Sequence, residues 1–236
     1  MKILLPYFDL VTSGAMQGAG KAKFDALVPQ YEIMDLYDKW TEFWDVWARL
    51  FHSQARRRAI TLAAIGDGQT YLDSAVGTGE VFREIVRRNP NGMNIGIDQS
   101  EGMLSKARQR LIPVKGAHYE LRKHSVFKLP VDNASIDVLM CCFLLDILPL
   151  AWMDTILVEF RRVLKSDGKL ILVNMTVAPN IFAKVFEIVS RIVPKAVGAH
   201  RGVCLSESLA LHGFNVERRE YIQQLLFPAE VIRAYL

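Results

Sequence analysis

The residues most suited to chemistry lie in a glycine-rich segment at 75–80, Ala-Val-Gly-Thr-Gly-Glu, which follows an apolar run ending in Asp73. A glycine-rich turn after the first strand of an α/β sheet lets a ligand approach the backbone closely. Loops that bind dinucleotides have glycine at the first, third and sixth positions. Here those positions hold Ala75, Gly77 and Glu80. A carboxylate in the first helical turn suits the helix dipole but opposes a pyrophosphate, so the segment favours a cofactor without phosphates.

A second acid, Asp98, ends the next apolar run of the sequence. An acid about 20 residues beyond such a loop can accept hydrogen bonds from ribose hydroxyls. Its alternative role is to cap a helix that begins near Ser100. Asp73 likewise could stabilise its turn, or orient the loop and bind an ammonium group. S-adenosylmethionine, a nucleoside cofactor with a positive sulfonium and no phosphate, fits this acid-flanked loop.

Elements that would position these residues alternate from residue 69 onward, with short apolar runs separated by helical patterns. Such alternation is typical of a parallel, doubly wound sheet with helices on both faces. Two further β-type runs, 215–223 and 229–235, are too close for a parallel crossover and predict an antiparallel hairpin. We therefore predict a Rossmann-like α/β fold with seven strands, mostly parallel with a C-terminal antiparallel hairpin. The strand candidates are residues 70–75, 94–98, 118–123, 136–142, 169–174, 215–223 and 229–235.

The chain is divided by the same patterns into two parts. Residues 1–60 are predicted to form an N-terminal helical extension or cap, and residues 61–236 the cofactor-binding domain, with a helical insert at about 179–205. Aromatic side chains recur at helical spacing in the N-terminal part and would either face the core or form a wall or lid over a pocket. They are Trp40, Phe43, Trp44, Trp47 and Phe51.

The bulk composition sets limits on function. The 236 residues are about half apolar, with a formal charge of +4 from scattered basic pairs. Three cysteines give neither a disulfide framework nor a metal-binding spacing, so we expect no metal and a reducing, cytoplasmic compartment. The longest apolar run, 136–148, is too short and too charged to span a membrane.

Four stretches resemble the class I methyltransferases in order and at that family's spacing. Residues 72–79 resemble their first motif and residues 96–104 their second. Residues 129–137 resemble the approach to the fourth strand, and residues 162–168 the turn into the fifth. The resemblance implies an S-adenosylmethionine-dependent methyltransferase with a seven-stranded sheet whose last strand is antiparallel.

A narrower similarity links residues 24–32 to the opening of the ubiquinone/menaquinone C-methyltransferases and their relatives. It implies that Tyr31 lies over the methionyl part of the cofactor. Ser125 stands where this group has an acid near the adenine amino group, so its hydroxyl or the backbone beside Val126 would serve instead. Together the two resemblances imply that the cofactor is bound by Tyr31, Asp73, Ala75, Gly77, Gly79, Asp98, Gln99, Met103, Ser125, Val126 and Cys141.

The candidate catalytic groups are Asp146, which stands where the group often has a histidine after the fourth strand, and His200 in the loop after Gly198. Each could instead be structural, and the remaining histidines show no partner pattern. Methyltransferases that modify nucleic-acid bases carry Asn/Asp-Pro-Pro-Tyr/Phe after the fourth strand, whereas residues 141–144 read Cys-Cys-Phe-Leu. We therefore expect no nucleic-acid partner.

The acceptor is predicted from weaker signals. The apolar insert and the aromatic N-terminal helices favour C- or O-methylation of a small or lipid-like hydrophobic acceptor, and the basic residues of the insert permit peripheral contact with a membrane. Three alternatives stay open: an N-methyltransferase of a polar metabolite or phospholipid headgroup, a non-catalytic protein that binds the cofactor and acts through a partner, and a nicotinamide dehydrogenase, which Glu80 disfavours.

Overall fold

A computed structural model describes residues 21–22, 25–39, 41–177 and 181–236, with the backbone alone for residues 21 and 41–44. The predictions for Trp40, Phe43 and Trp44 therefore lie outside the described side chains.

A seven-stranded sheet forms the centre of the fold. Its strands are β2 (Thr70–Asp73), β3 (Met93–Asp98), β4 (Tyr119–Lys123), β5 (Ile136–Cys142), β6 (Leu164–Met175), β8 (Asn215–Gln224) and β9 (Phe227–Tyr235). Their spatial order is β4-β3-β2-β5-β6-β9-β8. The first five pair in parallel, and β9 pairs antiparallel with both β6 and β8. The predicted fold class, including the C-terminal hairpin, is confirmed. A separate two-stranded sheet joins β1 (Lys21–Ala22) to β7 (Val203–Cys204).

Strand β6 begins earlier than the sequence predicted. The expected turn at residues 166–168 is an irregularity within the strand, because the pairing with β5 jumps from Ile136–Leu164 to Val138–Lys169. A side chain at Gly168 would come within 2.9 Å of the Ile136 carbonyl oxygen, so this crowded bulge requires glycine.

Helices cover both faces of the sheet. They are α1 (Gln30–Lys39), α2 (Thr41–Phe51), α3 (Ser53–Ala63), α4 (Glu80–Arg88), α5 (Glu101–Leu111), α6 (Met153–Val163), α7 (Ile181–Ile192) and α8 (Ser206–Leu211). The apolar run of β5 serves two cores, since Val138 and Met140 pack with α3 and α4, and Leu139 and Cys141 pack with α6 and α8. The strand is therefore buried on both sides, as its unbroken apolar sequence requires.

Of the aromatic stripe, Trp47 and Phe51 have described side chains. Both pack on Phe227 at the start of β9, with ring centroids 5.2 Å and 4.3 Å away. Trp47 is buried, so this part of the stripe faces the core.

The parallel strands β2, β3 and β5 end at one edge of the sheet. Strand β3 lies on one side of β2 and strand β5 on the other, so the order of the strands reverses at β2. Such a reversal is a topological switch point, where α/β sheets bind ligands. Within the described residues, no helix is long and apolar enough to cross a membrane.

Candidate functional site

A cleft opens at the switch point between the ends of β2, β3 and β5 and the helix α1. It encloses about 1150 Å³ of space, including the part continuous with solvent. The predicted cofactor residues that line it are Asp73, Ala75, Gly77, Asp98, Gln99, Met103 and Val126.

The glycine loop is fixed to the sheet by backbone hydrogen bonds. The amide of Val76 donates to the Ile97 carbonyl at 2.9 Å. Gly77 and Gly79 both adopt left-handed backbone conformations, with φ of 53° and 77°. A side chain at Gly77 would meet no atom within 4 Å, so glycine there keeps open the space that a ligand would enter.

Gly79 has a different role, because it does not line the cleft. A Cβ atom there would stand 2.9 Å from the Cβ of Ala107, on α5. Its predicted contact with the cofactor is therefore corrected to a packing role between the loop and that helix.

Asp98 orders the loop while facing the cleft. Its carboxylate accepts hydrogen bonds from the amides of Gly77 at 2.8 Å and Ser100 at 2.9 Å. The cap of α5 is Ser100, whose hydroxyl accepts from the amide of Met103 at 3.1 Å. Burial raises the pKa of the Asp98 carboxyl. Ser100, and not Asp98, therefore caps α5. The remaining lone pairs of the Asp98 carboxylate can accept hydrogen bonds from ribose hydroxyls.

Asp73 is a buried carboxyl that faces the cleft with few donors. It accepts from the Ala75 amide at 3.2 Å and from the Tyr71 hydroxyl at 3.3 Å. Burial, with a smaller effect from the charge of Asp98, raises the pKa of Asp73 to about 7. A carboxyl held in this state gains from a cation placed beside it, so the site fits an ammonium group.

Arg56, on α3, lines the cleft, although it was not among the residues predicted from sequence. Its guanidinium lines the cleft, lies 2.7 Å from the carboxylate of Glu80 and stands 5.9 Å from the ring centroid of Phe143. Because Glu80 is paired with Arg56, its carboxylate repels a phosphate less than an unpaired carboxylate would. Glu80 is therefore weaker evidence against a cofactor with phosphates. Asp73 and Arg56 together offer opposite charges to the ammonium and carboxylate of an α-amino acid. The only sequence signal for Arg56 was the basic run 56–58. The position of Arg56 in the cleft depends on how α3 packs, which the sequence does not show.

The far wall of the cleft holds the predicted adenine contacts. Gln99, Met103 and Val126 line it, together with Phe127. Ser125 does not line it; its hydroxyl accepts a hydrogen bond from the Gln99 side chain at 3.0 Å. The predicted contact of Ser125 with the cofactor is corrected to the positioning of Gln99.

Tyr31 also requires correction. Its side chain is 72% exposed and does not line the cleft, whereas Tyr37 does. The Tyr37 hydroxyl donates to the Gly198 carbonyl at 3.2 Å, and burial raises its pKa well above the usual range. Ile33, Met34 and Tyr37 recur on one face of α1, and this helical spacing was the signal that could have identified Tyr37.

Cys141 faces away from the cleft, and Cys142 lines it instead. Successive side chains of a strand point to opposite faces, so only one of the pair can face the ligand. The predicted contact of Cys141 with the cofactor is therefore corrected to Cys142, its neighbour in the strand.

Asp146 and His200 are brought together, but outside the cleft. Both are fully buried, and His200 Nδ1 lies 2.9 Å from a carboxylate oxygen of Asp146. The same oxygen accepts from the Met175 amide at 2.9 Å. Neither side chain lines the cleft, since Phe143 does so and lies between it and this pair. The expected direct contact with the acceptor is not supported by this placement.

His52 also lies in the cluster behind Phe143, although no role was predicted for it. Its ring stacks on Phe143 with centroids 3.7 Å apart and planes 10° apart, and lies 5.1 Å from the His200 ring. Burial lowers the pKa of His52 well below its usual value, so a neutral ring supports the wall of the cleft. Phe143 has a left-handed backbone with φ of 56°, a strained state that persists where the surroundings fix it.

Comparison with known proteins agrees with this geometry. A family model described as a methyltransferase domain matches residues 72–168. The chain is 29% identical over 175 residues to a ubiquinone/menaquinone biosynthesis C-methyltransferase from Syntrophotalea carbinolica, covering 72% of this chain and 73% of that one. It is 29% identical over 146 residues to a demethylmenaquinone methyltransferase from Thermotoga maritima, covering 60% of this chain and 61% of that one.

A solved structure shows the same fold. Magnesium protoporphyrin IX methyltransferase from Synechocystis PCC 6803, determined with bound SAH, superposes with a TM-score of 0.63 at 13% identity, covering 86% of this chain and 99% of that one. The sheet order and the cleft at its switch point define a Rossmann-like fold of the kind seen in that methyltransferase. The domain match and the relatives support a class I S-adenosylmethionine-dependent methyltransferase, an enzyme with that cofactor.

Proposed function

We propose that the protein transfers the methyl group of S-adenosylmethionine to a hydrophobic, lipid-like acceptor, with C-methylation of a quinol-type ring favoured over O-methylation. The apolar character of one side of the cleft carries this proposal. Ile33 and Met34 of α1 line it together with Phe143, Leu144 and Ile147, which follow β5. A wall of this kind favours an apolar ring over a polar metabolite. The names of the quinone-modifying relatives support the same acceptor class.

We assign the cofactor to the charged side of the cleft. Asp73 would bind the ammonium and Arg56 the carboxylate of its methionyl part, and Asp98 the ribose hydroxyls. Gln99, Met103 and Val126 would enclose the adenine. The cofactor supplies the methyl group on its sulfonium; the chain aligns the acceptor and excludes water, which suffices for a displacement of this type.

The side chains near the acceptor wall have defined roles in this proposal. Phe143 and Tyr37 present aromatic faces, which attract a sulfonium cation. Since the pKa of Tyr37 is raised, its hydroxyl stays protonated and serves as a hydrogen-bond donor rather than as a base. Because α1 lines the cleft, we retain the predicted cap for the described part of residues 1–60.

The test is methyl transfer from cofactor labelled in its methyl group. The acceptors would be demethylmenaquinone reduced to its quinol, simple phenols, amines and a phosphatidylethanolamine vesicle. We expect label on the quinol, at a ring carbon by mass spectrometry. The Leu144→Asp variant, which places a charge on the apolar wall, should lose transfer while it keeps cofactor affinity. Transfer to amines alone, or tight cofactor binding without transfer to any acceptor, would overturn the proposal.

A further inference from the structure

Helix α7 carries apolar side chains on two faces: Phe186 is buried against the sheet, and a row of isoleucines is turned outward. Ile181, Ile188 and Ile192 are exposed, whereas Ala183 and Ser190 face the protein. The three isoleucines are seven and four residues apart, so they form one stripe along the helix. A surface helix of a globular protein normally turns such a stripe to the core and its serine to water. The outward stripe therefore points to a partner.

Basic side chains border this stripe on one side. Lys184 and Arg191 repeat at the same seven-residue spacing and are exposed. Lys195 follows directly after the helix and is also exposed. An apolar stripe flanked by lysine and arginine is the pattern of helices that lie in the interface of an anionic membrane.

The helix lies at the edge of the sheet where the cleft opens. Phe186 packs on Phe227 at the start of β9, with ring centroids 5.0 Å apart. Ala229 of β9 pairs with Met175, at the C-terminal end of β6. Since β6 runs parallel to β5, this is also the end at which β5 enters the cleft. The turn before β9 adds two exposed leucines, Leu225 and Leu226.

Two polar contacts connect the turn that follows α7, at residues 194–198, to the helix that lines the cleft. Lys195 forms an ion pair with Glu32 of α1 at 2.7 Å. The Gly198 carbonyl accepts from Tyr37 of the same helix at 3.2 Å. The outward stripe and the wall of the acceptor site are therefore parts of one connected region.

We propose that the outward stripe of α7 docks on an anionic phospholipid bilayer and brings the open edge of the cleft to the lipid surface. The chemistry argues for lipid rather than a protein groove, because the isoleucine stripe and the basic row match acyl chains and anionic headgroups together. The inference rests on the proposed function in so far as a lipid-like acceptor dissolves in that bilayer. The docking itself needs no turnover and is measured separately.

The experiment is co-sedimentation of the full chain with vesicles of mixed phosphatidylglycerol and phosphatidylcholine, compared with phosphatidylcholine alone. The test variant is Ile188→Glu with Ile192→Glu. The matched control is Val158→Glu with Ile112→Glu, since Val158 and Ile188 are both 58% exposed, and Ile112 and Ile192 are both 72% exposed. Thermal unfolding and cofactor binding establish that each variant is folded.

We expect the wild type and the control pair to bind the anionic vesicles and the stripe variant to lose at least tenfold in partitioning. Lys184→Gln should lose about fivefold, the effect of one basic group at an anionic surface. Equal binding by the stripe and control variants, or no preference of the wild type for anionic vesicles, would overturn the proposal. Sedimentation velocity without lipid tests a second copy as the occupant: self-association of the wild type that the stripe variant abolishes would assign the face to a dimer instead. Methyl transfer to a water-soluble phenol should survive in the stripe variant, so a failed docking is distinguishable from a failed enzyme.

Discussion

Asp73 should make cofactor binding depend on pH. The carboxyl is buried, its pKa is raised to about 7, and an ammonium group is proposed to sit beside it. If the complex requires Asp73 in its ionised form, binding must release a proton at every pH at which Asp73 is protonated in the free protein. The ionised fraction falls from about one half at pH 7 to about 3% at pH 5.5. The dissociation constant should therefore rise about fifteenfold over that range.

The assay is titration calorimetry with S-adenosylhomocysteine, which keeps the ammonium and carboxylate of the cofactor. Repeating it at pH 7 in buffers of different ionisation enthalpy should show release of about half a proton. Asp73→Asn should bind weakly at both pH values and release no proton from this site. His124→Gln is the control for another titratable side chain of the cleft, and its affinity should keep the wild-type pH dependence. A wild-type constant that is flat between pH 5.5 and 7, or an Asp73→Asn variant with an unchanged slope, refutes the reasoning.

Three further substitutions test separate parts of the site. Asp98→Ala should weaken S-adenosylhomocysteine binding about a hundredfold, because it removes a charged acceptor; unchanged affinity in calorimetry would leave Asp98 with only its role in ordering the loop. Arg56→Gln should weaken the same ligand about tenfold, and a loss of thermal stability at unchanged affinity would limit Arg56 to its ion pair. Gly79→Ala should cost on the order of 3 kcal/mol in urea unfolding, from its left-handed φ of 77° and its clash with Ala107. Gly77→Ala, which meets no neighbour, should cost about 1 kcal/mol of backbone strain, so equal losses would contradict the packing role of Gly79.

Much of the fold followed from local patterns. The alternation of apolar runs and helical stretches predicted the parallel strands, and the short link between the last two runs required an antiparallel hairpin. Both are confirmed by the strand order and pairing. The bulge at Gly168 was not predicted, because serine, aspartate and glycine in succession suit a turn and a bulge equally.

The charged side of the cleft was predicted where its residues lie at the ends of neighbouring strands. Asp73, Gly77 and Asp98 lie at strand ends, and strand ends of a parallel sheet meet at one edge whatever the details of packing. The errors lie where one residue decides the direction of a side chain. Cys141 and Cys142 are neighbours in one strand, and their side chains point to opposite faces of the sheet. Tyr31 and Tyr37 lie on different sides of α1, and only Tyr37 lines the cleft.

The glycine loop, its two acids and the four stretches that resemble class I methyltransferases predicted from sequence alone an S-adenosylmethionine-dependent methyltransferase. Only the tertiary structure placed Arg56 beside Glu80, set His52 and the pair of Asp146 and His200 behind Phe143, and turned the isoleucines of α7 outward. The physical reason is distance along the chain. Motif residues are fixed by the strand that carries them, whereas these contacts join helices and loops far apart in sequence and depend on how the cores pack.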